Sequence, residues 1–140
     1  MATLFTRIIG GEIPGTFVWR DRECVSFLSI NPVQPGHTLV VPIAEVDHWI
    51  DLEPELACHL TGVAQTIARA QHQTYRPVKV GLLIAGLEVP HVHLHVIPIM
   101  HGEGDLHLDR ATTASPEQLE TEAVRIRAAL RELGAASVSE

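Results

Sequence analysis

Residues 90–98 read Pro-His-Val-His-Leu-His-Val-Ile-Pro, and the chemistry of the chain is concentrated there. His91, His93 and His95 alternate with Val92, Leu94 and Val96. A period of two is the pattern of a half-buried β-strand, because successive side chains leave opposite faces. The three imidazoles are therefore expected on one face, roughly 6.5–7 Å apart along the chain, with the three aliphatic side chains facing a core. Pro98 is expected to close the strand, since it has no N–H to give a ladder. Three readings fit such a row. The polar positions of an ordinary strand happen to be histidine. Or the rings bind a metal, imidazole being the commonest metal-binding side chain. Or one ring attacks phosphorus while its neighbours hydrogen-bond the phosphoryl oxygens or supply a proton.

The elements that must position these rings can be read in order. Leu4, Phe5, Ile8 and Ile9 recur near a helical period, so residues 3–10 form a short helix that Gly10-Gly11 ends. Residues 17–20 and 23–28 are two strands joined at Asp21-Arg22, and residues 37–41 are a third. Between them Asn31, Pro32, Pro35 and Gly36 make a stiff connection. Leu56, Leu60, Val63 and Ile67 form one apolar stripe on a long helix over 53–73, with His59 and His72 off the stripe and expected in solvent. Residues 78–85 are a strand apolar enough to be central or at a subunit interface. Residues 100–106 are a glycine-bearing loop and 111–115 a polar linker. Ser115-Pro116-Glu117-Gln118 then starts a helix with N-cap, N1 proline and capping box, running to about Leu133 and stopping at Gly134. Leu119, Val124, Ile126, Leu130 and Leu133 are its apolar surface, and residues 135–140 are expected to fray.

Composition narrows the function classes. At 140 residues and 46% hydrophobic the chain is expected to be one globular domain. Net charge is −7, Lys79 is the only lysine and no basic run exists, which argues against a long nucleic-acid partner. A single nucleotide remains open, because a few histidines and backbone N–H groups can hold one phosphate. No 18-residue apolar stretch and no signal-peptide pattern appear, so no membrane partner and a cytoplasmic location are expected. Cys24 and Cys58 sit among apolar neighbours; both are expected to be buried small hydrophobes, and their spacing does not make them a metal-ligand pair.

His91-Val92-His93-Leu94-His95-Val96-Ile97 resembles the H-φ-H-φ-H-φ-φ motif of the histidine triad (HIT) family of nucleotide hydrolases and transferases. Further segments resemble the family in the same order: Ile8–Pro14 its I-I-x-G-E-I-P, Ser26–Pro32 and Pro35–Pro42 its A-F-L-D-I-x-P-x-x-P-G-H-x-L-V-I-P, and His101–Asp105 its glycine turn after the triad. The resemblance covers about residues 3–106, leaving 115–134 as a C-terminal helical extension of a single domain over 1–140. It implies an α+β fold: a five-stranded antiparallel sheet with a long helix, a short N-terminal helix and a C-terminal helix. It also implies a homodimer formed near the long helix and the 78–85 strand, and a small-molecule nucleotide as substrate.

What the family's motifs imply at the site follows residue by residue. His93 takes the nucleophile position, attacking an α-phosphorus to give a nucleotidyl-histidine that water hydrolyses. His95 hydrogen-bonds the phosphate or leaving group, and His91 orients His93 through its backbone carbonyl and borders the pocket. His37 is placed near the leaving group. Ser29, Ile30 and Asn31 fall in the nucleoside pocket, and Leu87 and Val89 at the phosphate. Ser29 replaces an acidic residue, and a hydroxyl is a weaker acceptor than a carboxylate. Leu87 replaces a glutamine, a loss of about 1–3 kcal/mol of binding if nothing substitutes for the amide. Many members carry a structural zinc held by C-x-x-C and a later histidine; here those positions are Thr3, Thr6 and Glu45, so no structural zinc is expected, and His48 is left as a surface or capping residue. No cofactor and no catalytic metal are expected. A metal-binding cupin-like pattern fails, because four residues separate Gly86 from His91 and Ile99 and Met100 stand where a glutamate is needed. The other alternative is a degenerate family member that binds nucleotide or a partner without turnover.

Overall fold

The computed structural model describes residues 1–140. Helices α1 (Leu4–Ile9), α2 (Pro54–Tyr75) and α3 (Pro116–Glu132) accompany five strands: β1 (Phe17–Arg20), β2 (Cys24–Leu28), β3 (Thr38–Pro42), β4 (Lys79–Ile84) and β5 (Leu94–Ile99). The sheet is antiparallel throughout, in the order β1-β2-β3-β5-β4. The α+β architecture with five antiparallel strands and three helices is as expected from the sequence. No helix is long and apolar enough to cross a membrane.

Period-two alternation sorts the strands onto two cores. On one face α2 and α3 cover Val18, Cys24, Leu28, Val40, Val92, Leu94 and Val96. On the other, α1 covers a smaller cluster of Phe5, Ile8, Val25, Phe27, Leu39 and Val41. The α2 stripe packs through Leu60, Val63 and Ile67, each contributing about 1.5–3 kcal/mol by leaving water. Helix α3 starts with both arms of the Ser115–Gln118 capping box formed. Its Leu119, Ile126 and Leu130 are buried, whereas Val124 and Leu133 point to solvent.

Several local expectations are corrected. Pro98 does not close its strand; it lies inside β5, paired with Val80. The Ile99 carbonyl accepts from Val78 on the β4 side, so alternation aims the missing N–H of Pro98 at the β3 side. The ladder there has already ended at Thr38–Val96, and no bond is lost. At its other end β5 begins at Leu94, three residues later than the His91 alternation suggests. Of the two places expected for β4, the centre of the sheet is overturned: it is an edge strand, with Leu82 half exposed. Cys58 is exposed, because it lies on the outer side of α2. His59 is not simply solvated: its Nε2 lies 2.8 Å from an Asp21 carboxylate oxygen. Residues 135–140 do not fray either. Arg20 N–H donates to Ser137, Ser139 N–H donates to Val18, and Trp19 bridges Val138, so the tail lies along the outer edge of β1. Buried Arg127 fixes it, donating to the Phe17 and Ser139 carbonyls and to Glu120.

Candidate functional site

The three alternating histidines lie on the α1 side of the sheet, together with a fourth ring from the turn before β3. His93 and His95 have ring centroids 4.9 Å apart. His37 Nε2 is 2.9 Å from His95 Nδ1. Hydrogen-bond partners decide which nitrogen of each ring carries its proton. His93 Nδ1 lies 2.7 Å from the His91 carbonyl; a carbonyl only accepts, so Nδ1 is protonated and the neutral ring keeps its lone pair on Nε2. His37 Nδ1 accepts the Val33 N–H at 3.1 Å, so His37 carries its proton on Nε2 and donates it to His95 Nδ1. His95 must then be protonated on Nε2. The pair thus offers one nucleophilic nitrogen, on His93, beside one N–H donor, on His95. That combination suits attack at an electrophilic centre whose anionic oxygens or departing group need a hydrogen bond.

His91 is held differently. Its Nε2 lies 2.7 Å from the Pro42 carbonyl, so that nitrogen donates and Nδ1 accepts. The donor to Nδ1 is the Thr3 hydroxyl, at 2.6 Å. Thr3 is also the N-cap of α1, accepting the Thr6 N–H, and its own N–H donates to Glu45 at 2.7 Å. The bonds from Thr6 and Thr3 hold the Glu45 carboxyl below the usual carboxylate range. Thr3, Thr6 and Glu45, the positions where no zinc is expected because they replace thiolates and an imidazole, are thus brought together beside His91. They meet as hydroxyls and a carboxylate bonded to one another and to the ring, with no thiolate. This donor set does not fit the family's tetrahedral zinc. His91 does not border the pocket as expected: the network seals it and it is fully buried, while His93 and His95 retain 6% and 8% of their exposure and are the rings a ligand can reach.

Burial favours the neutral rings. It lowers the His93 pKa despite the bond to the His91 carbonyl, which pulls the other way. Burial and the neighbouring His93 bring His95 down to about 4. Burial, His95 and His93 bring His37 down to about 3. All three are therefore neutral near pH 7, as the tautomer chain requires. The Phe5 ring stands edge-on to His93 at 4.9 Å and to His91 at 5.8 Å, fixing both from α1.

The remaining sequence candidates are spread around this centre. Ser29 and His37 line a cleft of about 200 Å3 between the β2–β3 connection and the start of α3; Pro32, Gln34, Thr112 and Gln118 also line it, and His91, His93 and His95 do not. The Ser29 hydroxyl accepts the Asn31 N–H at 3.3 Å. The Asn31 side-chain oxygen accepts from Thr113, and Ile30 is exposed. Val89 packs on the Phe5–Phe27 cluster, and its carbonyl accepts the His91 N–H. Leu87 is 93% exposed and covers nothing.

Sequence reading missed four supports: Thr3 on His91, Val33 on His37, Phe5 against two rings, and Gln71. Buried Gln71 of α2 donates to both the Gly36 and Val96 carbonyls at 2.9 Å, tying the His37 turn to the His95 strand. Gly36 is needed there twice over, since its φ is +90° and an added Cβ would collide with the Tyr75 ring. A glutamine on the inner face of α2 was the one visible signal.

Comparison with known proteins agrees with this geometry. The sequence profile of the HIT domain matches residues 10–102. An uncharacterized HIT-like protein of Methanocaldococcus jannaschii is 36% identical over 107 residues, 74% of this chain and 83% of that one. An adenosine 5′-monophosphoramidase of Saccharomyces cerevisiae is 33% identical over 98 residues, 69% of this chain and 62% of that one. Among solved structures, a zinc-bound histidine triad family protein from Mycobacterium smegmatis superposes with a TM-score of 0.81 at 29% identity, covering 98% of this chain and 99% of that one. Four rings with paired tautomers on one sheet face, a profile spanning most of the chain and relatives at this identity lead to one assignment: the chain belongs to the histidine triad family.

Proposed function

We propose that the chain is a metal-independent nucleotide hydrolase or nucleotidyltransferase, cleaving at the α-phosphate of a nucleoside phosphoramidate, ester or dinucleoside polyphosphate. The observation that carries this reading is the 2.7 Å bond from His93 Nδ1–H to the His91 carbonyl, which leaves the His93 Nε2 lone pair beside His95. His93 Nε2 attacks the α-phosphorus, a P–N bond forms, and the bond to the leaving group breaks. His95 Nε2–H hydrogen-bonds the phosphoryl oxygen or the leaving group, which takes a proton from solvent as it departs. Water then attacks phosphorus and gives a proton back to solvent, the P–N bond to His93 breaks with its electron pair returning to Nε2, and nucleoside monophosphate leaves. His91 positions His93 and does not touch substrate. The phosphoramidase activity named for the yeast relative supports the reading.

The same reading takes the chain to be a cytoplasmic homodimer. Edge strand β4 and α2 flank an apolar groove that includes Ala64, Ala68, Val80 and Leu82, a surface suited to a second copy. A second reading, nucleotide binding without turnover, is favoured by Leu87, which presents an exposed aliphatic side chain where the family has an amide.

The test is release of AMP or GMP from a nucleoside phosphoramidate in the presence of a chelator. Turnover that vanishes in His93→Ala, with a trapped nucleotidyl adduct on the wild type, is the expected result. Saturable nucleotide binding without turnover would replace the hydrolase reading by the second one.

A further inference from the structure

On the opposite face of the sheet from the reactive rings, three side chains of different elements converge. Asp21 comes from the β1–β2 turn, Cys24 from the first position of β2, and His59 from the second turn of α2. One ligand atom from each lies within 4.8 Å of the other two. Asp21 Oδ2 is 2.8 Å from His59 Nε2 and 3.5 Å from Cys24 Sγ. A tetrahedral zinc with ordinary bond lengths would set these atoms about 3.3–3.6 Å apart. The Asp21–His59 pair must therefore open slightly to admit an ion, and His59 is the accessible side chain, 37% exposed.

The surroundings match what such a site needs. Glu23 Oε2 stands 3.8 Å from His59 Nδ1, the other ring nitrogen. A ligating histidine usually donates that second N–H to a carboxylate, which fixes its orientation. Trp19 Nε1 donates to Asp21 at 2.8 Å and holds the carboxylate. The backbone N–H groups of Glu23 and Cys24 take the other Asp21 oxygen, also at 2.8 Å each. One thiolate and one carboxylate neutralise a divalent ion, so the bound site carries no net charge into the partly buried location.

We propose that Asp21, Cys24 and His59 form a structural Zn2+ site, with a water as fourth ligand, that clips the β1–β2 hairpin to α2. Borderline N, O and S donors together suit zinc better than magnesium or calcium, which take oxygen. On binding, the thiol proton leaves to solvent and a Zn–S bond forms. The His59 proton shifts to Nδ1, facing Glu23, and Nε2 takes the metal. Nothing is oxidised or reduced.

The experiment uses the full chain, stripped with a chelator and titrated with ZnCl2 by calorimetry, followed by Co2+ loading. The expected result is one Zn2+ per chain, a rise in Tm, and thiolate-to-Co2+ charge-transfer absorption. Loss of an outer-sphere partner typically costs about 10–100-fold in metal affinity, so His59→Gln and Cys24→Ser should each cost at least about a hundredfold. Cys24→Ser should also abolish the charge-transfer band, and His93→Ala should leave uptake unchanged. His59 is partly exposed, so His59→Gln reports even if the Cys24 variant does not fold. Failure of the wild type to take up one equivalent, uptake that survives His59→Gln, or uptake lost only in His93→Ala would overturn the site.

Discussion

The tautomer chain makes His37 a positioning residue whose role can be isolated by two substitutions of opposite geometry. In His37→Asn the side-chain oxygen sits near the former Nδ1 and can still accept the Val33 N–H, but nothing reaches His95. In His37→Gln the amide nitrogen sits near the former Nε2 and can still donate to His95 Nδ1. The bond being removed or kept spans 2.9 Å between two rings that are 2% and 8% exposed. Removing one partner of such a buried bond and stranding the other costs about 1–3 kcal/mol. At about 1.4 kcal/mol per tenfold, that is a loss of roughly 5- to 150-fold in kcat/KM for His37→Asn. The loss should fall mainly on kcat, because His95 acts on charge that develops during reaction. Accepting the His37 bond also favours neutral His95, so in His37→Asn the titration of the His95 ring, followed by NMR, should move upward towards the ordinary histidine range. His37→Gln should recover most of both effects. The assays are phosphoramidate turnover and the NMR titration, with thermal melts showing that both variants fold. Equal activity of Asn and Gln variants, or an unmoved His95 titration in His37→Asn, would refute the relay.

Two further outcomes follow from the same groups. Thr3→Val removes the hydroxyl that donates to the buried His91 Nδ1; it should lower stability by about 1–3 kcal/mol, measured by urea denaturation, with Thr3→Ser recovering most of the loss. Stability should also fall on acidification. His37 and His95 stay neutral in the folded chain down to about 3 and about 4, while the unfolded chain takes up their protons near about 6.5. Between those values the unfolded state binds more protons, so stability rises with pH across that window and is lost below it, by up to about 1.4 kcal/mol per pH unit for each ring. Denaturation midpoints measured across that pH range should slope less steeply in His37→Asn than in wild type; parallel slopes would count against the buried neutral ring.

How much of this was legible depends on how far each feature reaches along the chain. Alternation at 91–96 and the Ser115 capping box are local patterns, and both produced the faces and boundary observed. Cys58 against Leu56 and Leu60 shows the limit: neighbours in sequence were apolar, but 100° per residue turned the thiol outward. Pro98 misled because a proline breaks a ladder only on the side where a partner strand exists, and the end of β3 is a long-range fact. Thr3 on His91, Gln71 across two backbones and the Asp21–Cys24–His59 cluster join elements 25 to 88 residues apart. No spacing rule carries them. The phosphate-side positions Leu87 and Val89 could be located only through resemblance, and the structure places one in solvent and the other, partly buried, against the smaller apolar cluster.

The pairing of the last residues with β1 has a consequence for how copies of the chain can meet. A sheet ordered β1-β2-β3-β5-β4 has two edges, and the tail from Ser137 to Ser139 occupies the β1 edge. Strand β4, at the other end of the sheet, has no further segment beside it. A sheet that can extend at both ends can add molecules indefinitely, head to tail, into a fibre. A sheet that can extend at one end only can join another copy through the same edge, and then both are finished. A strand approaching the β1 side therefore meets Ser137–Ser139 before it meets β1, whereas nothing of this chain stands between an approaching strand and β4.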